Sequence, residues 1–177
     1  MFLYLAMIDS DADKSKFEIL YSEYKNLMYY TANRILRNSS DAEDAVHQAF
    51  LKVIEILDTI SSPRCHKTRA LLVTITEHKA IDLYREKQRR NVLPLAEEYV
   101  GAAPAAEIER LAERDTLAAA IAALPPRYRS VLLLRYDCGY SNAEIANILD
   151  TTEPNVRKLI QRAREKLSTA LSRMEEP

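Results

Sequence analysis

The sequence predicts an all-α protein of two small helical domains joined by a flexible acidic linker. Three observations predict it. Only two glycines, Gly101 and Gly139, occur in 177 residues. That rules out the glycine-rich phosphate cradles of nucleotide-binding α/β folds and argues against hairpin-rich β folds. Apolar residues recur at three- and four-residue steps along most of the chain, the period of an amphipathic helix. The composition then shifts at Asn91, and clear helical patterning resumes at Leu117.

The first domain is read over residues 1–90. Its first helix is predicted from about Lys14 to Leu36, with Phe17, Leu20, Tyr21, Tyr24, Leu27, Met28, Thr31 and Ile35 on one stripe. Asn38-Ser39-Ser40 interrupts it. Ser40 and Glu43 have the spacing of a capping box, in which the serine oxygen takes an orphan N–H and the glutamate reaches back. The second helix follows, with Ala42, Ala45, Val46, Ala49, Phe50, Val53 and Leu57 on one face, and Ser61-Ser62-Pro63 closes that stretch. A third helix, Lys67 to about Arg90, carries Leu71, Ile75 and His78 on one stripe and ends in a basic run.

Residues 91–112 read as the linker. From Asn91 to Asp115 there are Pro94, Gly101, Pro104 and six acidic residues against two arginines, a net −4. Prolines and like charges without an apolar stripe favour an extended connection. Its last residues, from roughly Ala106, already lean towards the next helix.

The second domain is read over residues 113–177. Leu117, Ala120, Ile121 and Leu124 lead to a break at Pro125-Pro126, and a helix is predicted from Arg127 to Tyr136. Asp137 to Tyr140 makes a turn, with Gly139 as the residue past the helix end. Ser141 and Glu144 form a second capping box, opening a short helix through Leu149. Asp150 and Thr151 turn the chain; Asp tolerates the left-handed conformation better than most residues. Thr152 or Glu153 caps the last helix, with Pro154 in its first turn. That helix is expected to turn Val156, Leu159, Ile160, Ala163, Leu167, Ala170, Leu171 and Met174 inward.

Composition removes several function classes. With 47 % apolar and 29 % charged residues the chain is globular rather than disordered. No run approaches about 18 apolar residues, and the apolar start, Met1 to Ile8, meets Asp9 with no basic flank. Neither membrane insertion nor a signal peptide is expected, and a cytoplasmic location is expected from the cysteines, which fit a reducing compartment. Cys65 and Cys138 make no disulfide framework. Cys65-His66 has no CxxC or HxxxH beside it, so no metal and no cofactor are expected. Asp44 and His47 have acid–base chemistry, but no nucleophile or oxyanion donor set accompanies them, and no enzyme is expected.

Charge distribution points to nucleic acid. The formal net charge of −1 is a cancellation. Residues 1–60 carry a net −4, with six basic and ten acidic side chains. Lys67 to Arg90 holds seven basic residues against three acidic, and Glu153 to Arg173 six against two, a net +4 each. Ser141 to about Arg164 has a helix-turn-helix layout: a short capped helix, a tight turn and a longer helix. Asn155, Arg157, Lys158, Gln161 and Arg162 lie on its early outward face. Asn and Gln pair with adenine edges, Arg with guanine, and Lys with phosphate. Tyr84 lies within the other basic stretch, where a base can stack on the ring while cations hold the backbone. Asp41, Asp44, His47, Gln48 and Leu51 share an outward face of the second helix.

At these residues the chain resembles bacterial RNA polymerase sigma factors of the sigma-70 family. The run Asp41–Val53, DAEDAVHQAFLKV, is similar to the core-polymerase-binding helix with its pattern DAEDxxQxxF. Lys67–Arg85, KTRALLVTITEHKAIDLYR, is similar to the −10 recognition and melting segment, which often ends AIDxxR. Leu124–Tyr136, LPPRYRSVLLLRY, followed by Ser141–Leu167, resembles the −35-reading domain with its LPxxxRxVxxLR motif. The ordered set, in a chain this short, is that of the extracytoplasmic-function (ECF) type.

The resemblance implies a promoter-specificity subunit without catalysis. Asp41, Asp44, His47, Gln48 and Phe50 would dock on the clamp helices of the polymerase β′ subunit. His78, Lys79, Asp82, Tyr84, Arg85, Lys87, Arg89 and Arg90 would hold the −10 strand of promoter DNA. Asn155, Arg157, Lys158, Gln161 and Arg162 would read the −35 element, with the second domain touching the β flap. The linker would thread toward the active-site cleft, and an anti-sigma factor is a partner the family often has. The sequence departs from the family pattern at His47, Gln48, His78 and Asp150. Two other readings start from the same residues: a stand-alone helix-turn-helix DNA-binding regulator, and a helical protein-binding adaptor.

Overall fold

The computed structural model describes residues 1–90 and 116–175, and the predicted linker at 91–112 lies outside them. Among the described residues there is no strand, and they fall into two compact units, one on each side of the undescribed stretch.

The first unit holds α1 (Phe2–Leu5), α2 (Asp11–Leu36), α3 (Ser39–Glu55), a single 3-10 turn at Leu57–Thr59, and α4 (His66–Arg90). α2 begins three residues before the predicted Lys14 because Ser10 caps it, its side chain accepting from the Asp13 N–H, with Asp11 and Asp13 in the first turn. It ends at Arg37, whose φ of 50° is left-handed and whose N–H reaches the Asn33 carbonyl at 2.9 Å. This left-handed arginine costs about 1 kcal/mol and reverses the chain within one residue.

The capping box predicted at Ser40 and Glu43 does not form. Asn38 is the N-cap: extended, it accepts from the Asp41 N–H at 3.0 Å, and the Ala42 N–H closes the first turn on its carbonyl. Asn is among the strongest N-caps, and starting there gains half a turn of helix. Ser40 is therefore already helical. α3 ends at Glu55, and the 3-10 turn carries the chain on past Leu57, before Ser61-Ser62-Pro63.

Most of the predicted stripes become the core, although Tyr21, Leu27, Thr31 and Val46 are only half-buried and Ala32, outside the predicted stripe, is buried. α2, α3 and α4 each pack against the other two. Phe17, Leu20, Met28 and Ala32 of α2 are fully buried, as are Ala42, Ala45, Ala49, Phe50 and Val53 of α3. The three alanines give α3 a flat face that its neighbours approach closely. Each fully buried Phe or Leu contributes about 2 kcal/mol. On α4 burial is wider than the predicted stripe: residues 71–77 are all buried, so the helix is covered on every side there. His78, predicted inside that stripe, is only half-buried.

α1 was not anticipated by periodicity, because four residues make a single turn. Tyr4 holds it in place, its ring 5.4 Å from Phe17 and 5.8 Å from Phe50, centroid to centroid.

The second unit holds α5 (Thr116–Ala123), α6 (Pro126–Leu132), a π turn at Leu133–Asp137, α7 (Asn142–Ile148) and α8 (Glu153–Glu175). α5, α6 and α7 all pack on α8. Pro126 starts α6, where its missing N–H costs nothing. The helix predicted to run to Tyr136 loses α geometry at Leu132 and widens, the Cys138 N–H reaching the Leu133 carbonyl at 2.9 Å. Gly139 then takes φ +80°, as its place past the helix end requires. The Ser141–Glu144 capping box forms in full. Its hydrogen bonds, from the Ser141 side chain first and then its backbone, hold the Glu144 carboxyl below the usual range. Asp150 adopts φ 48° at the next turn. Thr152 caps α8, accepting from the Asn155 N–H at 3.4 Å.

Val131, Leu134, Ile145, Val156 and Ala163 are fully buried in this unit. The inward stripe of α8 is covered only as far as Ala163; Leu167, Ala170 and Leu171 are half-buried.

Candidate nucleic-acid interface

The N-terminal half of α8 turns Val156, Leu159 and Ala163 into the unit, which leaves the opposite side outward. Arg157, Lys158, Gln161 and Arg162 are exposed there. Arg157 is ion-paired with Glu153 one turn earlier, at 2.7 Å, and Gln161 donates to Glu165 at 3.1 Å. Asn155 differs from the other four. It is half-buried, and its amide donates to Thr151 Oγ1 at 2.7 Å, so it pins the turn that aims the helix.

A groove of about 450 Å³ flanks this face, lined by Arg135, Tyr136, Asn142, Arg157, Gln161 and Arg164 among others. Three arginines and a tyrosine that is 63 % exposed make it a cationic, partly aromatic notch. Arg164 was legible from spacing, since 157, 161 and 164 lie on one side of a helix. Arg135 was not, because the π turn sets its direction. Arg129, the arginine of the LPxxxRxV pattern, proves structural: it is 1 % exposed and donates from Nη1 to the Ala122 carbonyl at 3.1 Å.

In the first unit, Asp44, His47 and Gln48 stand exposed on one face of α3. Asp41 lies at its edge, its side chain only 14 % exposed and ion-paired with Lys87 of α4. Phe50 departs from the expectation. It is fully buried, with ring neighbours Tyr4, Phe17 and Tyr21, and so supports the face from below instead of belonging to it. Residue 50 falls on the alanine side of the helix, which explains why its burial follows. His47 Nδ1 lies 2.6 Å from the Tyr4 hydroxyl. Burial, with Tyr21 adding to it, pushes the Tyr4 phenol up.

The −10 residues do not form one surface. At 100° per residue His78, Lys79, Asp82, Arg85 and Arg89 share one side of α4, while Tyr84 and Lys87 lie on the other. Lys87 accordingly meets Asp41 of α3, and the Tyr84 hydroxyl accepts from Gln88 at 3.1 Å. Arg85 and Arg89 are exposed, and Arg89 Nε donates to the Arg85 carbonyl. The Arg90 side chain lies outside the described residues.

Cys65 is at the start of α4, where the Thr68 hydroxyl and N–H meet its sulfur and lower the thiol pKa. Among the described residues no three His, Cys, Asp or Glu side chains converge as metal ligands would.

Comparison with known proteins settles the family. The Sigma-70 region 2 model matches residues 20–90 and the Sigma-70 region 4 model residues 114–167, together well over half of the chain. The chain belongs to the sigma-70 family and is an ECF-type sigma factor. The ECF RNA polymerase sigma factor SigW of Bacillus subtilis (strain 168) is 28 % identical over 171 residues, covering 90 % of each chain. SigL of Mycobacterium tuberculosis is 26 % identical over 165 residues, covering 92 % of this chain and 93 % of its own. A solved structure of the sigma factor RpoE with the anti-sigma factor NepR from Bartonella quintana aligns over 92 % of this chain and 97 % of that one, at 19 % identity and a TM-score of 0.44.

As a sigma factor, the protein binds core RNA polymerase and promoter DNA and directs promoter-specific initiation through the −10 and −35 elements. The region 2 match lies in the first unit and the region 4 match in the second. Among the described residues no helix is long and apolar enough to cross a membrane.

Proposed function

We propose a division of labour between residues 1–90 and 113–177, with 91–112 as the linker, in a cytoplasmic, non-catalytic initiation subunit. The outer face of α3, with Asp41, Asp44, His47 and Gln48, docks on the β′ clamp helices. On α4, the side carrying His78, Lys79, Asp82, Arg85 and Arg89 meets the unstacked −10 strand, with Arg90 next along the basic run, while Tyr84 and Lys87 stand on the opposite side of the helix and outside that contact. Arg157, Lys158, Gln161 and Arg162 of α8 read −35 DNA while Asn155 sets the approach. One observation supports this most: α8 is locked on one side and polar on the other, at the start of a helix held by a capped turn.

The test is holoenzyme binding to promoter duplexes with single −35 substitutions. Arg157→Ala is expected to lose about 1–3 kcal/mol of discrimination at one base pair. Lys158→Ala is expected to weaken all duplexes alike and to reduce the salt slope by about 1. Equal losses on every duplex for Arg157→Ala would place it on phosphate and overturn its assignment as a base reader.

A further inference from the structure

Phe50 cannot serve the docking face of α3, and that leaves the half-buried Leu51 as its one large apolar side chain. Asp41, Asp44, His47 and Gln48 are all polar, whereas stable interfaces place a few large apolar anchors inside a polar rim. Further apolar anchors stand on α1. Of the seven large apolar side chains exposed among the described residues, four lie in the first seven: Met1, Phe2, Leu3 and Met7. Phe2 is 87 % exposed and Leu3 68 %.

α1 is fixed to the α3 face. Tyr4 and Ile8 are buried, and the Tyr4 hydroxyl bonds His47, which is itself on the docking face. The two rings lie 5.4 Å apart, centroid to centroid. A groove of about 290 Å³ lies beside this pair, lined by Tyr4, by Tyr21, Lys25 and Tyr29 of α2, and by Val46 and His47 of α3 among others. α1, which carries the exposed apolar side chains, is thus tied to the polar face through one hydrogen-bonded pair.

We propose that α1 and the outer face of α3 form one docking surface for core RNA polymerase, with Phe2 and Leu3 as its apolar anchors. The inference rests on the reading that α3 docks on the polymerase. Tyr4 is the positioning residue: it holds α1 against His47 and presents Phe2 and Leu3 outward.

The experiment measures binding of the full-length protein to purified core polymerase. The double variant Phe2→Ser, Leu3→Ser is expected to bind roughly tenfold more weakly, the loss of an anchor. Tyr30→Ser, which removes an equally exposed aromatic elsewhere, is expected to bind as the natural protein does. Asp44→Arg tests the underlying reading separately. If it binds normally, the α3 assignment falls and this proposal with it. If Asp44→Arg loses binding and the α1 variant does not, the proposal alone is overturned. A photo-cross-linker at position 3 keeps the question decidable should the double variant misfold: a cross-link to β′ is expected, and a cross-link only to a second copy of this chain, with unchanged core binding, contradicts it.

Discussion

The two units fix their basic helices by different means. α4 is covered on every side over residues 71–77, so the core sets its position, and Arg85, Lys87 and Arg89 emerge in its last turns. α8 is covered on one side and only as far as Ala163, and its direction is set by the turns before it: the Ser141 capping box, the left-handed Asp150, and the Thr152 and Asn155 bonds. The first unit spends apolar area to hold a helix end. The second uses side-chain caps and hydrogen bonds to aim a helix start. This difference suits the proposed division of labour, since a rigid helix N-terminus enters a duplex groove whereas a projecting basic end meets an unstacked strand.

The largest expected effect sharpens the core side of that contrast. Phe50→Ala is expected to cost the first unit about 3–5 kcal/mol, read by urea unfolding, while the second unit unfolds unchanged. Arg129→Ala comes next. It empties a buried site and leaves the Ala122 carbonyl without its charged donor, for about 2–3 kcal/mol on the second unit alone. A variant that unfolds both units together would break the contrast.

Ser141→Ala should cost about 1 kcal/mol as a lost cap, and it carries a pH signature. Glu144 is held below its ordinary pKa in the folded state, so its contribution is present above the unfolded value and is lost as pH falls through the folded one. The difference between natural protein and variant should therefore shrink below roughly pH 4. A difference that stays constant down to pH 3 would remove Glu144 from the account. The smallest effect is that of the Asp41–Lys87 pair, half exposed on the lysine side. A double-mutant cycle with Asp41→Asn and Lys87→Gln should give a coupling below about 1 kcal/mol, falling with salt.

Much of this was legible in the sequence, and what was missed has physical reasons. The capping box at Ser141, the turn at Asp150 and the apolar faces of α2 and α3 follow from local chemistry. Ser40 reads as a cap because Asn38, Ser39 and Ser40 are all good cap formers, and only the left-handed Arg37 decides for Asn38. α1 is too short to show a period, and the π turn leaves no residue signature. Phe50 and Arg129 sit in patterns shared by the family, yet both are buried supports. A motif marks where a residue is required, not whether it points outward. The Asp41–Lys87 pair spans 46 residues and depends on how α3 and α4 pack.

The central claim is that this chain gives core polymerase its promoter choice through both units. In vitro transcription with purified core, with and without the protein, tests it most directly. The account predicts transcripts from defined starts only when the protein is present, lost with Asp44→Arg and weakened with Arg157→Ala. Identical transcripts with and without the protein would contradict it.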